Sequence, residues 1–129
     1  MLQNESILLV ADNSGDKKIL VIRCLGGSNR RYSRIGDLVI ATVKKADPHA
    51  NIKKGQIVMA LIVATKKHFH RQNNTWIKFS KNYAVLVKKE NKEPVGTRVF
   101  VPLTAPLERQ WQARGKKYKS FLSLAPKIL

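Results

Sequence analysis

Short apolar runs separated by turn-rich polar stretches organise this chain. "SILLVA" (6–11) and "KILVIRCL" (18–25) are rich in Ile, Val and Leu, and the "DNSGDK" between them (12–17) is made of turn residues, so the pair reads as a β-hairpin. "DLVIATVKK" (37–45) and "QIVMALIVATKK" (56–67) predict two further strands on either side of the polar "ADPHANIKKG" (46–55). "TWIKF" (75–79) and "YAVLVKK" (83–89) predict two more, the first preceded by "HFHRQNN" and the second ended by "ENKEPVG". Short strands at this spacing predict a closed or nearly closed small barrel, which removes exposed edges. Several runs are apolar on both faces, as staves partly covered on the outside would be.

After residue 100 the pattern changes. Thr104 can cap a helix with Pro106 in its first turn, Leu107 and Trp111 four residues apart on one face, and Gly115 as a stop. "SFLSLAPKIL" closes the chain as a short apolar segment that can dock on the barrel. The expected organisation is one domain over 1–129, mainly β, with a barrel over about 1–100 and short C-terminal helices over about 101–129.

Charge narrows the possible functions. Twenty-five Lys and Arg against eight Asp and Glu give a formal net charge of +17, and a chain of 129 residues repels itself at that charge unless a polyanion neutralises it. RNA or DNA fits, because Lys and Arg replace the counterions condensed on a phosphate backbone. A membrane surface does not, since no basic amphipathic helix carries the charge, and no apolar run is long enough to span a bilayer. Basic pairs recur along the chain: Lys17-Lys18, Arg30-Arg31, Lys44-Lys45, Lys53-Lys54, Lys66-Lys67, Lys88-Lys89 and Lys116-Lys117. That distribution predicts contact with several nucleic-acid segments. The first residues, "MLQNESILLV", lack the basic region and cleavage pattern of a targeting peptide and read as structure.

Candidate chemistry concentrates in "GGSNRRYSRIGD" (26–37), which has almost nothing apolar to bury. Arg30, Arg31 and Arg34 offer forked donors for phosphate oxygens, and Tyr32 between them can stack on a base or ribose. Lys44, Lys45, Lys53, Lys54, Lys66, Lys67 and Arg71 are the remaining candidate RNA contacts. "KKHFHRQ" repeats the basic and aromatic mixture, whereas Trp76 and Phe79 read as core or barrel-surface packing and Trp111 as the anchor of its helix. The lone Cys24 excludes an internal disulfide and reads as a core thiol. His68 and His70 lack further ligands at suitable spacing, so neither a metal site nor a cofactor is expected. Scattered carboxylates, with neither a nucleophile elbow nor a phosphate-binding loop, make an enzyme a minor hypothesis.

Read in order, "VADNSG" (10–15), "GGSNRRYSRIGD" (26–37), "GTRVF" (96–100) and "SLAPKIL" (123–129) resemble large-subunit ribosomal protein family fourteen, nearly end to end. The central signature also matches: Ala60, aliphatics at 61–63, Asn73, Phe79, Asn82, Val85 and Leu86. Two departures stand out. Asn74 replaces the usual turn Gly, and "VPLTAPLERQWQARGKKYKS" (101–120) is longer than usual and adds Arg109, Arg114, Lys116, Lys117 and Lys119.

The resemblance implies a five-stranded β-barrel with small C-terminal helices and no catalysis. It implies binding to large-subunit rRNA, contacts with neighbouring large-subunit ribosomal proteins, bridges to small-subunit rRNA, and a docking surface for a ribosome-silencing factor. Under that reading Arg30, Arg31 and Arg34 form a phosphate clamp, while Thr97 and Arg98 belong to the face towards the small subunit and the silencing factor. The Lys, Asn and Ile richness, the charge and the enlarged tail point to an organellar ribosome, mitochondrial or plastid, with the bacterial cytoplasm as the alternative. Composition alone also allows a free barrel-type RNA-binding regulatory factor.

Overall fold

A computed structural model describes residues 2–25, 31–49, 52–67, 69–70 (backbone), 76–90, 94–96 and 98–102. Among the described residues seven strands are formed: β1 (Ile7–Val10), β2 (Asp16–Cys24), β3 (Leu38–Ala46), β4 (Ile57–Ala64), β5 (Phe69–His70), β6 (Trp76–Ile77) and β7 (Tyr83–Val87). Five of them close a barrel in the order β1-β2-β3-β4-β7, and β5 and β6 make a separate two-stranded ribbon. Every neighbouring barrel pair is antiparallel except β1 and β7, whose parallel pairing closes the circle.

The barrel's interior is set by a size alternation in the sequence. Ala41 pairs with Val58, Ala60 with both Val39 and Leu86, and Ala84 with both Ile62 and Val10, so each small side chain faces bulky ones across the ladder. Five strands enclose a narrow space, and this pairing fills it without overpacking. Leu8, Ile19, Val21 and Val43 complete the interior. Leu61 and Val85, on the alternate face of β4 and β7, are buried as well, so these two staves are covered on both sides as their apolar runs predicted. β2 instead sets exposed pairs, Lys17-Lys18 and Ile22-Arg23, between buried residues, and its register shifts against β3 at three places. Such bulges bend a strand as barrel closure requires.

Three expectations change. "TWIKF" is not a stave: Trp76–Ile77 pairs only with Phe69–His70, while β7 pairs directly with β4, leaving the intervening chain outside the barrel. β2 starts at Asp16, inside the stretch read as turn, because Asp16 pairs with Ala46. The loop over 26–37 does contribute to the core, through the buried Ile35. Cys24 is a buried free thiol, as expected. No helix occurs among the described residues; the predicted C-terminal helices, with Thr104, Pro106, Leu107, Trp111 and Gly115, lie outside them.

Candidate RNA interface

Over residues 31–37 a hydrogen-bonded backbone carries exposed charge. Ser33 and Leu2 exchange two backbone hydrogen bonds, the Leu2 amide donating to the Ser33 carbonyl at 2.8 Å and the Ser33 amide to the Leu2 carbonyl at 2.7 Å. The Arg34 amide donates to the Asp37 carboxylate at 2.8 Å, and the Asp37 amide returns to the Arg34 carbonyl at 3.0 Å. Gly36 takes a φ of 93°, the left-handed region that favours glycine, and its amide reaches the Ile62 carbonyl on β4 at 2.8 Å. With Ser33, Ile35, Gly36 and Asp37 buried, Arg31, Tyr32 and Arg34 remain exposed, Tyr32 at 52%. The loop thus presents two guanidinium groups and a phenol from a fixed base; Arg30 lies outside the described residues.

Strand order divides the predicted basic residues between the two ends of the barrel. One end collects the β1–β2 turn, the last residues of β3, the β3–β4 connection and the exit of β7, which brings exposed Lys17, Lys18, Lys44, Lys45, Lys53, Lys54, Lys88 and Lys89 to it. Lys53 and Lys54 sit in a turn closed by the Gln56 amide on the Lys53 carbonyl at 3.2 Å and the Gly55 amide on the Val43 carbonyl at 2.8 Å. The other end collects the loop over 31–37, the exit of β4, the entry to β7 and the β5–β6 ribbon, with Arg31, Arg34, Lys66, Lys67, Lys78 and Lys81 exposed. Here Asn82 ties two segments together: its side-chain oxygen accepts from the Lys66 amide at 2.7 Å and its carbonyl from the Leu9 amide at 3.0 Å. Strand rise and barrel tilt separate the two ends by roughly 20 Å, so no single phosphate cluster can engage both. Arg71 lies outside the described residues.

At the first end, "VADNSG" and "GTRVF" meet. Asp12 is buried; its carboxylate accepts from the Leu86 amide at 3.0 Å and from the Ser14 amide at 3.1 Å. The neighbouring Asn13 side chain accepts from the Arg98 amide at 3.1 Å, and the Phe100 amide donates to the Ala11 carbonyl at 2.7 Å. Gly96 lies so close that a Cβ there would stand 2.8 Å from the Asn13 oxygen and 3.0 Å from the Asp12 Cβ. Val99 is buried and anchors this segment, whereas Phe100 is 54% exposed because it shares the outward face with Arg98, whose guanidinium sits 5.5 Å from the Phe100 ring centroid. Thr97 lies outside the described residues.

Two features escaped sequence reading. Trp76, read as packing, is 62% exposed on the ribbon. Asp16 is only 4% exposed, and neither of its carboxylate oxygens has a hydrogen-bond partner. Its pKa is pushed up to about 6, chiefly by burial and further by the Asp12 carboxylate. The turn residues of "DNSGDK" placed Asp16 in a turn, so nothing along the chain marked it as buried. Among the described residues no three His, Cys, Asp or Glu side chains converge as a metal site. The chain matches, over residues 1–129, the family model described as ribosomal protein L14p/L23e.

Proposed function

We infer the role from membership: the chain belongs to the L14p/L23e family of ribosomal proteins, which makes it a non-catalytic, RNA-binding structural protein of the ribosome. Within that role we read it as a constituent of the large subunit that binds large-subunit rRNA at both ends of the barrel. The observation carrying this reading is the partition of exposed Lys and Arg into two groups at opposite ends. Arg30, Arg31 and Arg34 are the phosphate clamp, flanked by Lys66, Lys67 and Arg71; Lys44, Lys45, Lys53 and Lys54 serve the other end. The outward Arg98 and Phe100, with Thr97, form the face towards small-subunit rRNA and a ribosome-silencing factor. The junction with Asp12 and Asn13 supports this, since it fixes the backbone of the segment and leaves the Arg98 side chain exposed. Neighbouring large-subunit proteins complete the partner set. The ribosome is organellar, mitochondrial or plastid, on the strength of composition and the enlarged tail; the bacterial cytoplasm is the alternative.

Co-sedimentation of the tagged protein with large subunits, followed by sequencing of their RNA, tests role and compartment together. Near one copy per subunit, retained through a moderate-salt wash, is the expected result. Substoichiometric, easily washed protein would instead identify a free RNA-binding factor. For the bridge, Arg98→Glu should enter large subunits normally but join small subunits poorly in a gradient at limiting magnesium. Failure to assemble would make Arg98 an internal RNA anchor, and normal joining would remove the segment from the bridge.

A further inference from the structure

We propose that Trp76 is a stacking platform for an unpaired RNA base, presented on the outward face of the β5–β6 ribbon. This rests on the RNA-binding reading above and adds a contact of a different kind. From 76 to 79 the chain alternates exposed, half-buried, exposed, half-buried. Phe79 packs against the barrel core and its amide donates to the Thr65 carbonyl at 3.1 Å, which fixes the inward face of the segment. Trp76 and Lys78 therefore share the outward face, Trp76 at 62% exposure. Ribbon register sets His70 directly opposite Trp76.

The surroundings select the partner. Lys78 on the same face and Lys66, Lys67 and Lys81 at the base of the ribbon are all exposed. An apolar protein surface laid on Trp76 would have to strip water from these ammonium groups without neutralising them, whereas an RNA strand supplies phosphates to them and a base face to the indole. A base must be out of the helical stack to use the indole, so the target is a loop, bulge or single-stranded stretch, not continuous duplex. Stacking is also less sensitive to salt than phosphate contact, which separates the two contributions experimentally.

Trp111→Phe leaves Trp76 as the sole tryptophan, since the chain has two. Titrating this variant with a short oligoadenylate should quench its fluorescence, and a duplex of equal length should quench it much less. Trp76→Ala, whose fold is checked by circular dichroism, should weaken oligoadenylate binding by about 5- to 150-fold, with the ratio maintained as salt rises, while duplex binding changes little. Trp76→Phe, which keeps an aromatic face, should retain most of the affinity. If the parent protein binds both RNAs with steep salt dependence but Trp76→Ala binds them equally well, the platform is wrong and the RNA-binding reading stands. If the parent binds neither RNA, both fail. Quenching by RNA-free ribosomal protein instead of by the oligoadenylate would make Trp76 a protein contact and overturn the proposal.

Discussion

Asp16 shows how a single side chain can set a pH dependence in a protein dominated by lysine. Its folded-state pKa, about 6, lies above the ordinary 3.8, so the folded form binds a proton more tightly than the unfolded chain. Stability from this group is therefore fully present below pH 3.8 and is lost as pH rises through about 6. Two pH units correspond to at most about 3 kcal/mol, less where solvent screens the group. Asp16→Asn should raise stability at pH 7 relative to the parent, and the difference should shrink as pH falls towards 4; urea unfolding across that range measures it. Equal pH curves would mean that Asp16 ionises without penalty. Gly96 exerts a different constraint, steric and local. Gly96→Ala would force a methyl against Asn13 and Asp12, whose carboxylate satisfies the buried Leu86 amide, so a loss of about 1–3 kcal/mol is expected in urea unfolding.

At the level of elements, the segment over 31–37 divides its labour between backbone and side chains. Leu2, Ile62 and the Arg34–Asp37 turn hold its backbone and Ile35 enters the core, whereas Arg31 and Arg34 are exposed. Replacing Arg30, Arg31 and Arg34 together by Ala should thus leave circular dichroism and the unfolding midpoint nearly unchanged. RNA binding should weaken by about 1.5–3 kcal/mol for each well-formed, dry contact and by less for exposed ones. Unaltered incorporation of the folded variant into large subunits would remove the clamp. Ile35→Ala should act in the opposite sense, costing about 2–5 kcal/mol of stability through the cavity it leaves. The contrast between the two variants separates the loop's structural residue from the residues proposed to bind.

For the whole molecule the decisive quantity is the formal net charge of +17, and among the described residues the exposed Lys and Arg gather at two ends of a small barrel. If six to ten phosphates are neutralised, the logarithm of the binding constant should fall with the logarithm of salt with a slope of about −4 to −9. A slope near zero would exclude phosphate neutralisation. Because the ends are held apart by the barrel, charge reversal at Lys53 and Lys54 should reduce the slope without abolishing the contribution of Arg31 and Arg34.

What the sequence determined by itself was whatever depends on local order and total charge. Apolar runs with turn residues between them specify strands, because backbone hydrogen bonding and burial act over a few residues; the barrel class, the basic polyanion-binding character and the buried Cys24 followed from that. The ordered motifs carried the family, and the match over 1–129 agrees with it. Tertiary structure alone decided which residues meet. Closing β1 against β7 brings Asp12 to the Leu86 amide and Asn13 to the Arg98 amide, partners separated by 74 and 85 positions in the chain. The pairing of β7 with β4 pushed Trp76 out onto a ribbon, and the pairing of Asp16 with Ala46 drew a turn-like carboxylate into a buried strand. Exposure is a property of the completed surface, and residue type and periodicity fix it only where one face of a strand is already committed to the core.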